Sequence, residues 1–167
     1  MAELMNCPDC KALVTNISGP THAYLGASAG CWKIYGDILA KEYSDPDHMK
    51  VHRLTVDAYA VQHPGIPAPR AIQSVNVHLL ALFLILEKKC DFKSATYAMG
   101  RLIEKNKGKF IWLAPPKSLG KITVIDVVKA ANATEHQKSV KDWAASAWLA
   151  WQYHHEKIRL LARQLPG

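Results

Sequence analysis

"VNVHLLALFLIL", residues 75–86, is apolar all the way round a helix, interrupted only by Asn76 and His78. A helix apolar on every side must be covered by other helices. The run falls short of the ~18–20 residues a membrane span requires. The stretch therefore predicts a buried central helix over about 70–89 and, around it, an all-α protein.

Working outward, the stiff connector "PGIPAP" (64–69) ends a preceding helix predicted over 46–63. "SDPD" (44–47) separates that helix from an earlier one over 31–44, "CWKIYGDILAKEYS", whose Ile34, Ile38 and Leu39 recur at helical spacing. After the central helix, "DFKSATYAMGRLIEKN" (91–106) reads as a helix capped by Asp91. Residues 108–121 read as a loop. "ITVIDVVKAA" (122–131) is β-branched enough for a strand, but no second strand lies near it, so a short helix capped by Thr123 is expected. A last helix should run from about 134 to 165. With no repeat or linker, residues 1–167 read as a single domain: a compact helical bundle over 31–165, preceded by a turn-rich, cysteine-containing segment over 6–31.

That segment holds Cys7, Cys10 and Cys31. In "CPDC" the two-residue spacing lets both sulfurs reach one ion. Cys31 is the natural third ligand. Structural zinc takes four ligands, and the fourth is either His22, in "GPTHAY", or a histidine of the second helix. The set Cys7, Cys10, His22 and Cys31 is complete within one stretch. Cys31 also opens a helix, where the dipole stabilises a thiolate, so a nucleophilic role is the competing reading. Cys90 reads as an incidental thiol.

The chain has eight histidines. In "VHRLTVDAYAVQHPG" (51–65), His52, Tyr59 and His63 share one helical face. Asp57 faces elsewhere, placed to pair with Arg53 one turn back or to orient a histidine of another helix. His78 lies inside the central helix, where an imidazole without partners costs about 1–3 kcal/mol. Antiparallel packing of the two helices would set His78 beside His52 or Tyr59. His52, Asp57, His63 and His78 are thus the candidate catalytic residues. Trp143, Trp148 and Trp151 read as core or pocket wall.

The formal net charge is +7, which favours anionic partners. The basic residues are dispersed, however, and no basic arm interleaved with aromatics appears. A small polar or anionic ligand is expected ahead of nucleic acid. The polar start "MAELMNCPDC" does not read as a signal peptide. A cytoplasmic protein without a membrane partner is expected, its cysteines ligands or free thiols rather than disulfides.

The stretches "CPDC", "GPTHAYLGASAGCW", "VHRLTVDAYAVQHPG", "QSVNVHLLAL", "WLAPPKSLGKITVIDV" and "WAASAWLAWQYHHEKIR" together resemble a family of small bacterial proteins catalogued only as a domain of unknown function. The resemblance implies that His22, Cys31, His52, Asp57, His63 and His78 lie in family motifs, and it carries no activity. The family pattern often has glycine where this chain has Lys11, and proline where it has Ala29. Two functions are compatible with these features. One is a zinc protein with a histidine-lined pocket, in which metal-bound water or the metal itself acts on a small substrate. The other is a non-catalytic, zinc-stabilised module binding protein or nucleic acid.

Overall fold

The central helix, α4, spans Pro69–Leu82 and continues as a π-type turn over Phe83–Glu87. In the computed structural model, which describes residues 1–166, it packs on the helices before and after it in sequence and on the two C-terminal ones. Leu79, Leu80, Ala81 and Leu82 are buried, as an all-round apolar helix requires. Pro69–Glu87 reaches 19 residues and is apolar enough to cross a membrane by length and composition, yet two thirds of it is buried inside the fold, as in a core helix.

Before α4 come α1 (Ala29–Ser44), α2 (Pro46–Met49) and α3 (His52–Gln62); after it come α5 (Phe92–Lys105), α6 (Val124–Val128), α7 (Ala133–Ala150) and α8 (His155–Ala162). The helix starts have chemical causes. Ser28 caps α1 through Cys31 N–H, and Asp91 caps α5 through Ser94 N–H. Thr123 and Asp126 close a reciprocal capping box on α6, which fixes the ambiguous β-branched stretch as helix. The fold is predominantly α, as the sequence predicts.

Three details differ from the sequence reading. The expected 46–63 helix is two, because Val51 leaves helical geometry and inserts into the core. The expected last helix breaks at Trp151, whose indole N–H reaches back to the Val61 carbonyl at 3.0 Å. In both places a tertiary anchor outweighs a continuous helical pattern. Third, the cysteine-rich segment contains a small antiparallel hairpin, β1 (Leu4–Asn6) paired with β2 (Leu13–Thr15), in register Met5 to Val14. Strands of three residues carry too little periodicity to be seen in sequence.

The hairpin lies tight against α1. A Cβ on Gly30 would stand 2.2 Å from the Thr15 carbonyl oxygen, so only glycine lets the start of α1 approach β2. This contact brings Cys31, the next residue, under the hairpin turn.

Candidate metal centre and the cavity beside it

Three elements converge at the hairpin turn. Cys7 and Cys10 lie in the turn between β1 and β2. Cys31 occupies the first turn of α1, and His63 directly follows α3. The turn doubles back through Cys7 N–H to the Ala12 carbonyl and Lys11 N–H to the Cys7 carbonyl. Lys11 adopts φ +64, a left-handed conformation that glycine takes at no steric cost. Asp9, between the cysteines, accepts from Gly65 N–H at 2.8 Å and ties the turn to the segment after α3.

The end of α3 is pinned from the other side. Gln62 accepts from the Trp143 indole N–H at 2.8 Å and donates to the Leu119 and Ile122 carbonyls. Trp143 and Trp151 are core residues whose polar atoms hold the last turn of α3, and through it His63.

The Sγ atoms of Cys7, Cys10 and Cys31 and one His63 ring nitrogen all lie within 4.8 Å of one another, and all four residues are buried. Cys10 Sγ to Cys31 Sγ is 3.9 Å, and Cys31 Sγ to His63 Nε2 is 3.4 Å. With Zn–S of ~2.3 Å and Zn–N of ~2.0 Å, a regular tetrahedron has S···S edges of ~3.8 Å and S···N edges of ~3.5 Å. The donor set fits a tetrahedral ion. His63 Nδ1–H donates to the Tyr59 carbonyl at 2.7 Å, which fixes the tautomer and leaves Nε2 for the ion.

The electrostatics also call for a cation. Hydrogen bonding from Cys10 and then Cys31 holds the Cys7 thiol well below its ordinary pKa, whereas Cys31 and then Cys7 push Cys10 up. The sulfurs cannot all ionise together without a compensating positive charge. Burial opposes charge on His63, but hydrogen bonds and charge from Cys31 and Cys7 outweigh it and lift the imidazole to about 9. Burial, followed by the charge and hydrogen bond of Cys31, raises Tyr59, so its O–H persists as a donor to Cys31 Sγ at 3.5 Å.

His22, expected as a candidate fourth ligand, is not in this group. Its Nδ1 accepts from Tyr24 N–H, and its ring packs edge-on against Tyr24 and Trp32. The fourth donor is His63, the alternative the sequence left open on the second helix. It directly follows α3, and its carbonyl accepts from Gly26 N–H at 3.4 Å, while Gly65, at φ +70, passes close beside the Tyr24 carbonyl.

The four candidate catalytic residues do not share one pocket. His63 joins the thiols. His52 Nδ1–H donates to Glu42 at 2.7 Å. Asp57, fully buried, accepts from Arg53 and, at 2.7 Å, from His78 Nδ1–H, so both partners the sequence offered are present at once. His78 faces α3, as antiparallel packing implies, but its partner is Asp57 and not His52. It lines a cavity of about 190 Å³ together with Tyr59 and His22.

Sequence reasoning missed Glu42. Fully buried in α1, it also accepts from His136 Nε2–H of α7 at 2.9 Å and from the Thr55 hydroxyl of α3. The signal was faint: "AKEYS" (40–44) looks like an exposed helix end. His136, in the first turn of α7, is the α7 half of this buried cluster.

A family model described as "Family of unknown function (DUF5946)" matches residues 5–152. No curated protein and no solved structure matches the chain. The matched span takes in all four donors, the Glu42 cluster and His78. The chain belongs to that family of unknown function.

Proposed function

We propose that this member of the family is a zinc-stabilised, non-catalytic binding module of the cytoplasm. The observation that carries the reading is the spacing of Cys7, Cys10, Cys31 and His63, four buried donors at tetrahedral distances. Three thiolates with one imidazole suit zinc among the abundant divalent metals. Four protein donors fill its coordination sphere, whereas zinc that activates water keeps one position open. The metal supplies a cross-link between the hairpin, the start of α1 and the end of α3. Reduced thiols of this kind belong to a reducing compartment, and all four cysteines are free.

The test is elemental analysis of protein purified without a chelating tag. One zinc per chain is expected, and its removal under reducing conditions should lower the melting temperature and speed amide exchange in the hairpin. Added zinc should reverse both. Protein without zinc, or a melting temperature indifferent to chelation, would contradict the reading.

A further inference from the structure

The cavity between α1, α3 and α4 shares Tyr59 with the metal centre: the side chain lines the cavity, and its hydroxyl faces Cys31. We propose that it is a binding site for a small, neutral, single-ring molecule carrying one hydrogen-bond donor and one acceptor, held by His22 and His78.

Its walls are aromatic. Tyr35 and Tyr59 stack with ring centroids 3.8 Å apart at 10°, and Trp32 leans on both. Such walls favour a flat ring. A volume of about 190 Å³ suits one ring with small substituents, since an apolar cavity of ~150 Å³ already takes benzene.

The polar groups are few and unspent. His22 Nδ1 accepts from Tyr24 N–H, and burial lowers its pKa, so the neutral ring carries its proton on Nε2. That N–H has no partner among the described residues. His78 gives its Nδ1–H to Asp57, a carboxylate that can only accept, and Nε2 is left as the open nitrogen, an acceptor in the neutral ring. Tyr35 and Ser74 line the same space, each only 6% exposed. Neither hydroxyl has a hydrogen-bond partner among the described residues. Their oxygens open onto the cavity rather than being sealed in the fold, and a ligand there would take the place of water on them.

Charge defines the class further. Among the described residues, no Lys, Arg, Asp or Glu lines the cavity. Arg53 and Asp57, which both meet the lining residue His78, are bound to each other. A charged ligand would be desolvated with nothing to compensate it. The anionic option that the overall charge suggests is therefore disfavoured at this site. None of the four metal donors lines the cavity, and metal content is measured separately.

The experiment titrates the full chain, as isolated, with 2-pyridone, a neutral ring with one N–H and one carbonyl, and with benzoate as the anionic counterpart. Imidazole resonances are followed by NMR in histidine-labelled protein. 2-Pyridone should shift the His22 and His78 rings at millimolar concentration and leave His52 and His136 unmoved, while benzoate should bind more weakly. His22→Phe, which keeps a ring but removes the N–H, and Ser74→Leu, which fills the space, should each weaken binding tenfold or more with zinc content unchanged. Absence of shifts at both rings, tighter binding of benzoate, or wild-type affinity in both variants would overturn the proposal. If a variant fails to fold, the wild-type resonances decide.

Discussion

His63 Nδ1 lies 2.7 Å from the carbonyl oxygen of Tyr59, one helical turn earlier, and this bond turns Nε2 toward the thiols. The carbonyl belongs to the last turn of α3, where the backbone runs out of helical partners. A helix end thus orients the fourth donor, and the hydroxyl of the same tyrosine faces Cys31.

His63→Ala is therefore expected to weaken zinc binding sharply, while His22→Ala leaves it intact. At fixed free metal, a thousandfold loss of affinity removes about 4 kcal/mol of stability. In a domain of this size that corresponds to a melting temperature roughly 8–16 °C lower. Metal analysis and calorimetry of the two variants check this; equal metal loss in both would be inconsistent with the geometry.

Zinc affinity should depend on pH through the same ring. In metal-free protein His63 titrates at about 9, so at neutral pH zinc must expel its proton. Affinity should rise as pH increases and level off, for this ring, above about 9. The metal-free fold should show the opposite trend. Its His63 pKa is raised from 6.5, so that contribution to stability is full below about 6.5 and is lost as pH climbs through about 9. Competition titrations and chemical denaturation between pH 6 and 9, with and without zinc, should give slopes of opposite sign.

The sequence made the bundle legible because α4 is apolar on all sides and the caps Asp91 and Thr123 are local signals. Cys7, Cys10 and Cys31 were legible from their spacing. The choice of His63 over His22 was not, because it depends on where α3 ends against α1, a matter of tertiary packing. Glu42 was illegible for the same reason. Its partners, Thr55 and His136, come from helices that periodicity cannot bring together.

Glu42→Ala should be costly without touching the metal. It removes the acceptor shared by His52, Thr55 and His136 and leaves buried donors unpaired. A loss of about 3–5 kcal/mol is expected from breaking a buried charged cluster. Urea denaturation should show the loss at unchanged zinc content. A near-neutral effect would mean that the cluster is not paired in solution.

The two departures from the family pattern have structural counterparts with a measurable outcome. Ala29 is the first helical residue of α1, and Ser28 before it is extended, at ψ 161. Proline fits that position without strain. Ala29→Pro is expected to stabilise by about 0.4–1 kcal/mol through the unfolded chain. Lys11→Gly relieves a left-handed lysine but frees the unfolded chain, so the net gain should be smaller. Thermal unfolding of the zinc-loaded variants separates the two effects.

The metal centre is tested most directly by X-ray absorption at the zinc edge of the protein as isolated. Cys7, Cys10, Cys31 and His63 require three sulfurs at ~2.3 Å and one nitrogen at ~2.0 Å, with no water in the first shell. A shell of that composition, reduced to two sulfurs by Cys31→Ser, is the expected result. An oxygen ligand in the native site, a four-sulfur shell, or an imidazole signal that survives His63→Ala would contradict the closed centre.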